Sequence, residues 1–515
     1  MKRMILIIFL ALISFNYAFA FDPLFDARID YNAGLEPQSV FAADFDGDGH
    51  NDLAVVNYYP DNVSILKNNG DGTFQAAVNY GVGSNPYSVF ACDLDSDGDN
   101  DLAVANNGTN SVSILRNNGD GTFQAAVNYA VGNSPVSVFA CDLDGDGDND
   151  LAMANNGSNN ISILRNNGDG TFQAVVNYSV GTNPYSVFAS DLDGDGDNDL
   201  ATANYGSNNV SILRNNGDGT FQAAVNYAAG NSPVSVFACD LDGDGDNDLA
   251  VANWGSNNVS VLKNNGNGTF QEAVNYNGSG SGCVGVSAGD FDIDGDLDLA
   301  VTNAYSNNVS IFRNNGDGTF QAAVNYNGSG SGCVGVSAGD FDIDGDLDLA
   351  VTNAYSNNVS IFRNNGDATF QSVANFGVGS QPVPVFAADL DGDSICDLAI
   401  ANEISNDVSV LINRTSRVGI DNGPALFPSE FQLSQNYPNP FNAQTTIQYS
   451  LPNQSVVSID IFDILGRKIT QLSEGVQESG THEIIWDASD VTSGVYFYRL
   501  TAGEYQETRR MLMLK

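Results

Sequence analysis

One acidic nonapeptide recurs every 49 or 50 residues through most of this 515-residue chain, eight times in all. No other feature restricts the fold as much. A unit that repeats at this period cannot bury an apolar core alone, so neighbouring copies must stack, as they do in solenoids and propellers. The first copy reads DFDGDGHND, Asp44 to Asp52, and each copy has Asp at positions 1, 3, 5 and 9.

The second unit shows what lies between the loops. Ser88–Cys92 enters the loop, Leu102–Ala105 leaves it, Val112–Arg116 follows a short polar turn, and Phe123–Tyr129 closes the unit after the turn NNGDGT. Gly-Asp-Gly between alternating runs signals a hairpin, and helical periodicity is absent. Four strands per unit predict the blades of an all-β propeller.

The fourth-strand motif starts at Phe25, Phe74, Phe123, Phe172, Phe221, Phe270, Phe320 and Phe370. The repeat region therefore begins with a fourth strand and ends with strands one to three, near Ile412. An open sheet edge invites aggregation. Pairing Phe25–Tyr31 with the last unit closes the ring and predicts eight blades. The alternative is seven closed blades with one unit displaced. Residues 273–317 and 323–367 are identical, so we expect that a seven-bladed ancestor gained one unit by duplication.

The loop spacing points to metal chemistry. Position 1 is Asp44, Asp93, Asp142, Asp191, Asp240, Asp290, Asp340 and Asp389; position 3 is Asp46, Asp95, Asp144, Asp193, Asp242, Asp292, Asp342 and Asp391. Position 5 is Asp48, Asp97, Asp146, Asp195, Asp244, Asp294, Asp344 and Asp393; position 9 is Asp52, Asp101, Asp150, Asp199, Asp248, Asp298, Asp348 and Asp397. Alternation turns the first three carboxylates toward one centre, and the last closes it. Gly at position 6 permits the bend. Position 7 is His50, Asp99, Asp148, Asp197, Asp246, Asp296 or Asp346, expected to offer its backbone oxygen and send its side chain to solvent. Carboxylates this dense repel one another unless a cation sits among them, and Ca²⁺ accepts six to eight oxygens in irregular geometry. Up to eight Ca²⁺, one per unit, are expected. The eighth loop departs, with Ser394 at position 6 and Cys396 at position 8.

The formal charge of −45 is concentrated in these loops, and phosphate binding needs basic stripes that the chain lacks, so nucleic acid is not expected as a partner. The six cysteines give no disulfide framework. Cys92, Cys141 and Cys239 share a slot with Ala43, Ser190, Gly289, Gly339 and Ala388, while Cys283 and Cys333 are duplicates. Isolated packed thiols are expected; pairing between blades is not readable from spacing.

Acidic loop, β-flanks and the NNGDGTF turn together resemble the FG-GAP repeat of the integrin alpha-chain propeller and its bacterial relatives, over residues 22–413. The resemblance implies a calcium-bound hairpin between strands 1 and 2 of every blade.

Alternating strand direction puts the acidic loops and the 3–4 turns on one face, and the 2–3 and 4–1 connections on the other. Variation collects on the second face, where the 2–3 turns carry Tyr58 and Tyr59, Asn107, Asn156, Tyr205, Trp254, Tyr305, Tyr355 and Glu403. Aromatics among amides can stack on sugars or anchor a protein partner; they can equally pack against the next blade. Enzyme chemistry finds little support. His50 and His482 are the only histidines and neither lies in a nucleophile–base arrangement; no catalytic site residue is assigned. A paired-carboxylate glycosidase is disfavoured because the acids occur equally in every unit.

The ends of the chain carry addresses. Lys2 and Arg3, an apolar run from Met4 to Phe15 and Ala18-Phe19-Ala20 read as an export signal, residues 1–20; no later segment is apolar enough to span a bilayer. A linker, 414–430, contains Pro424 and Pro428. Residues 431–515 predict a small β-sandwich with strands at Thr446–Tyr449, Val456–Phe462, Glu483–Trp486, Val495–Leu500 and Arg509–Leu514. Asn436–Asn442 (NYPNPFN), Ile461-Phe462-Asp463, Leu465-Gly466-Arg467, Trp486-Asp487, Ser493–Leu500 and the basic end at Lys515 resemble a type A sorting domain of the type IX (Por) secretion system. This implies outer-membrane passage with the secretion machinery as partner, then release or attachment at the surface. The expected role is binding or adhesion, to a glycan or an extracellular protein; the alternative is a polysaccharide-active enzyme or its accessory.

Overall fold

The computed structural model describes residues 24–415, apart from 279, 329 and 372, and the strands and some connecting residues between 432 and 513. The export-signal segment and nearly all of the 414–430 linker lie outside the described residues. The described residues form strands and turns only, and no helix among them is long and apolar enough to cross a membrane.

The chain divides into two units after Thr415. The first contains eight four-stranded antiparallel sheets. In the second blade the strands are Pro86–Cys92, Asp101–Asn106, Ser111–Leu115 and Val127–Ala130. The fourth strand is shorter than FQAAVNY predicts. Phe123 makes one isolated bridge to Asn117, because its ring must turn inward against Tyr80 and Phe45.

Burial explains the sequence of each strand. Strands 2 and 3 are covered on both faces by adjacent blades, so DLAVAN and SVSIL are buried throughout, as continuous apolar strands usually are. Each cluster accordingly straddles two blades; Val56, Val63 and Ile65 pack with Val89, Leu102 and Leu115. Strand 4 is exposed. Strand 1 alternates, and its half-buried phenylalanines run around the inside of the ring. Phe386, Phe41, Phe90, Phe139, Phe188 and Phe237 follow one another with centroids 5.2–5.5 Å apart. The duplicated units place Ser287 and Ser337 in that slot.

Contacts of several kinds close the ring between the eighth and first blades. Ile29–Asn32 pairs with Asp407–Leu411, completing the last sheet from the N-terminal strand. Phe41 meets Phe386. Asn68 Nδ2 donates to Leu390 O at 2.7 Å, as Asn117 does to Phe45 O of its preceding blade and Asn413 to Phe341 O. Eight blades therefore form the closed ring, and the seven-bladed alternative does not apply.

All six cysteines are free. Cys283 and Cys333 have a specific role in packing. The buried Asn at the end of strand 2 has an unpartnered Oδ1 in six blades, at Asn57, Asn106, Asn155, Asn204, Asn253 and Asn402. In the two duplicated blades the thiols of Cys283 and Cys333 donate to Asn303 and Asn353 Oδ1 at 3.1 and 3.2 Å.

In the second unit, Gln432–Leu433, Gln444–Leu451 and Gly480–Asp487 form one sheet, and Lys468–Gln477, Ser455–Asp463, Gly494–Ala502 and Tyr505–Met513 another. Both sheets contribute to one apolar cluster that includes Ile447, Ile459, Trp486, Tyr498 and Met511. The strand at Lys468–Gln477 was not among those predicted. Asn436 is buried, with its N–H donating to Tyr498 Oη at 2.8 Å and Nδ2 to Thr445 Oγ1 at 2.9 Å. Phe441 N donates to Leu512 O and Asn439 Oδ1 accepts Leu512 N at 2.8 Å, so these two residues hold the last strand. Tyr437, Pro438, Pro440, Asn442, Leu465, Gly466, Ser493, Leu514 and Lys515 lie outside the described residues.

Candidate metal centres

Each acidic loop joins strand 1 to strand 2, and its own carboxylates fold it. In the second blade Asp93 Oδ1 accepts the N–H groups of Asp95 (3.2 Å) and Ser96 (2.7 Å), and Oδ2 accepts that of Gly98 (3.0 Å). Asp97 Oδ1 accepts the Asp99 N–H at 3.0 Å. Asp101, fully buried, accepts Leu94 N through Oδ2 and Asn117 N through Oδ1. Position 9 thus ties the loop to strand 3 as well as closing it, a role the spacing did not disclose. Position 6 requires a left-handed backbone, φ +95° at Gly98 and +69° at Ser394.

Carboxylate oxygens from three positions converge within 4.8 Å in eight groups. Asp44, Asp46 and Asp48 form one, as do Asp142, Asp144 and Asp146; position 9 replaces position 5 in Asp93–Asp95–Asp101, Asp191–Asp193–Asp199 and Asp240–Asp242–Asp248. Position 3 is the informative member. In seven loops its Oδ1, at Asp46, Asp95, Asp144, Asp193, Asp242, Asp292 and Asp342, is buried without a hydrogen-bond partner. A buried orphan oxygen costs about 1–3 kcal/mol, more when charged. Its recurrence beside two further carboxylates fits a cation ligand. All these donors are hard oxygens, so the residues present fit a hard divalent ion.

Burial pushes the position-9 carboxyls up, Asp52 to about 6 and Asp101, Asp150, Asp199, Asp248, Asp298, Asp348 and Asp397 to about 7. Backbone N–H bonds offset part of that rise, and the like charges at positions 3 and 5 add to it. A divalent ion in the loop would reverse the balance.

The second oxygen of position 3 faces a cation that sequence reasoning missed. Lys67, Arg116, Arg165, Arg214, Lys263, Arg313 and Arg363 occupy one slot at the end of strand 3; that fixed place was the signal. Lys67 lies 3.3 Å from Asp46, Lys263 3.5 Å from Asp242, and Arg313 and Arg363 3.7 Å from Asp292 and Asp342. The same cations reach the next blade. Arg116 and Arg165 donate to Asp169 O and Asp218 O at 3.1 and 3.0 Å, and Lys67 to Asp120 O. With Lys263, which donates to Asp317 O, four of these cations tie a loop to the next blade. The eighth unit has Ile412 in the slot and uses Arg414 instead, 2.8 Å from Asp391.

Position 7 does not send its side chain to solvent. It leans over the 3–4 turn of its own blade, where a Cβ at Gly119 would meet Asp99 and one at Gly70 would meet His50. Asp148 also accepts a hydrogen bond from Ser96 Oγ of the preceding blade at 2.6 Å.

On the opposite face the aromatic positions divide. Trp254 is half-buried and packs edge-on against Tyr305 of the next blade at 4.9 Å. Asn107 and Asn156 bond to Pro135 O and Pro184 O of the next blade. Tyr205, Tyr305 and Tyr355 are 40, 60 and 70 % exposed.

The geometry defines a β-propeller whose every blade carries an oxygen-lined loop able to hold a metal ion. The model of the FG-GAP-like repeat matches residues 44–104, 93–153, 142–202, 191–251, 240–301, 290–351 and 340–400. Each window opens on one acidic loop and runs through the next, so seven windows take in all eight loops. The chain belongs to the FG-GAP-like repeat family. Residues 435–514 match the secretion system C-terminal sorting domain, which marks the chain for export by the type IX system to the cell surface or extracellular space.

No curated protein matches the sequence. Among solved structures, an Agrocybe aegerita lectin described as recognising non-reducing terminal N-acetylglucosamine is 19 % identical over 74 % of this chain and 100 % of its own, with a TM-score of 0.43. The V. cholerae biofilm matrix protein Bap1 is 16 % identical over 77 % of this chain and 89 % of its own, TM-score 0.39. A putative 6-phosphogluconolactonase from Bacteroides uniformis is 15 % identical over 68 % and 98 %, TM-score 0.45. Similarity at this level informs neither ligand nor activity.

Proposed function

We propose that this protein is an exported, calcium-loaded propeller that serves as a binding or adhesion module and not as an enzyme. Calcium is the ion the loops suit. In the clusters opening at Asp44, Asp93, Asp142, Asp191 and Asp240 the donors are carboxylate oxygens, three per loop, with no thiol or imidazole among them. An ion held by the carboxylates of a single loop would serve to hold that blade in shape.

One observation carries the binding reading. The face away from the loops is where the units diverge, and it exposes Tyr59, Tyr205, Tyr305 and Tyr355 among Asn and Ser side chains. Exposed aromatic rings flanked by amides can stack on sugar rings or anchor a protein partner. A glycan array probed with the purified protein in millimolar calcium, run beside binding to immobilised extracellular proteins, is the test. Saturable binding that Tyr305→Ala with Tyr355→Ala weakens is the expected result. No binding on either platform, with turnover of a polysaccharide instead, would overturn the reading.

A further inference from the structure

A repeat array supplies its own controls, because a site can be recognised where one junction departs from all the others. On the face away from the loops, the junction of the eighth and first blades opens a cleft of about 370 Å³, lined chiefly by Leu35, Glu36, Tyr59, Gln381, Glu403 and Ile404. The other units place Ser, Asn or Thr in the slot of Leu35, and Asn, Ser, Gly or Gln in that of Glu36. The slot of Glu403 holds Tyr, Asn, Trp or Ala elsewhere. Glu36 and Glu403 are thus the only charged residues in their slots, and both fall at this one junction.

The cleft is organised by its backbone. Glu36 is held at φ +53° with its N–H donating to Asn406 Oδ1 of the eighth blade at 3.0 Å. Gln381 Nε2 donates to the Glu403 carboxylate. Leu35, Tyr59 and Ile404 remain 54, 47 and 61 % exposed around them, a large apolar surface for residues with no function. No lining residue is basic. Most of the ring's other cations are engaged at the acidic loops, and Arg28 pairs with Asp30 at 3.1 Å.

We propose that this seam cleft receives a basic side chain, arginine or lysine, from a polypeptide partner. The proposal rests on the binding role assigned above to this face and names its ligand chemistry. A cation compensates both carboxylates as they lose water, whereas a neutral polyhydroxyl ligand would strip them of solvent without charge compensation. Guanidinium forms charge-assisted bonds with carboxylates. The alkyl stem of the guest lies along Leu35 and Ile404, and the ring of Tyr59 adds a cation–π contact. The strongly acidic ring steers such a partner in.

The test uses the full chain in saturating calcium, so that the acidic loops are filled. The probes are an acetylated, amidated Gly-Ser peptide with one central arginine and the same peptide with neutral citrulline, followed by saturation-transfer NMR. The arginine peptide is expected to bind at least about tenfold more tightly than the citrulline peptide, a difference of about 1.4 kcal/mol. Glu36→Gln with Glu403→Gln should remove that difference while melting temperature and calcium content stay unchanged, and Ile404→Ser should weaken both peptides. Equal binding of the two peptides, or preference for arginine that survives the double substitution, overturns the proposal. If the arginine peptide fails while the array of the preceding test reports a ligand, the seam assignment falls and the wider reading of the face stands.

Discussion

Asn166 tests how the blades are joined. It is 1 % exposed. Its Nδ2 donates to Leu94 O of the preceding blade at 2.7 Å and to Asn149 O at 3.0 Å, and its Oδ1 accepts Gly168 N at 3.1 Å. Asn166→Ala leaves two carbonyls and one N–H without partners. A fully buried orphan costs about 1–3 kcal/mol. The Leu94 carbonyl is buried and the other two groups are partly so, which gives a total of about 3–5 kcal/mol. Asn167→Ala is the control, because that side chain makes an exposed bond to Thr171 Oγ1, and surface changes of this kind stay within about 0.5 kcal/mol. Urea unfolding in calcium buffer measures both. A loss below about 1 kcal/mol for Asn166→Ala, or equal losses for the two variants, would refute the claim that these asparagines staple the ring.

Three further outcomes follow from the same contacts. Chelation by EDTA should lower the melting temperature sharply, since sites of Kd ~10⁻⁴–10⁻³ M contribute about 0.4–1.4 kcal/mol each at millimolar calcium; an unchanged melt contradicts this. Ile293 is a β-branched residue at φ +59° and 61 % exposed, so Ile293→Gly should gain about 1 kcal/mol by relieving strain, read as a rise in urea midpoint. Burial pushes the thiols of Cys92, Cys141 and Cys239 up to about 12. Folded protein at pH 8 should therefore react with a thiol reagent far more slowly than urea-unfolded protein, and the stability these neutral thiols contribute should fade as pH rises from about 9 toward 12; equal rates at pH 8 would exclude that burial.

The repeat period made the blade legible because one pattern had to satisfy eight identical environments. Runs such as DLAVAN are apolar throughout since blades cover both sides, and the stray N-terminal strand at Phe25–Tyr31 fixed the closure. What escaped was anything set by contacts between units. The cations from Lys67 to Arg363 look like ordinary surface charge in sequence, yet they face position-3 carboxylates across a loop and carbonyls across a junction. The side chains at position 7 were expected to face solvent because the loop was considered alone, without the turn of its own blade beneath it. Phe123 counted as strand because FQAAVNY alternates, although its ring is drawn inward. The departures at Glu36 and Glu403 were visible as residues but not as neighbours, since they lie far apart along the chain and meet only at the seam.

Metal held among the loop carboxylates is what the proposed function requires. Calcium should be measured by elemental analysis in purified protein after exhaustive dialysis against buffer containing calcium, with the dialysate as blank. Seven to eight ions per chain are expected, seven from the loops whose position-3 Oδ1 has no partner and a weaker eighth where Arg414 approaches Asp391. A content below one ion per chain would contradict it.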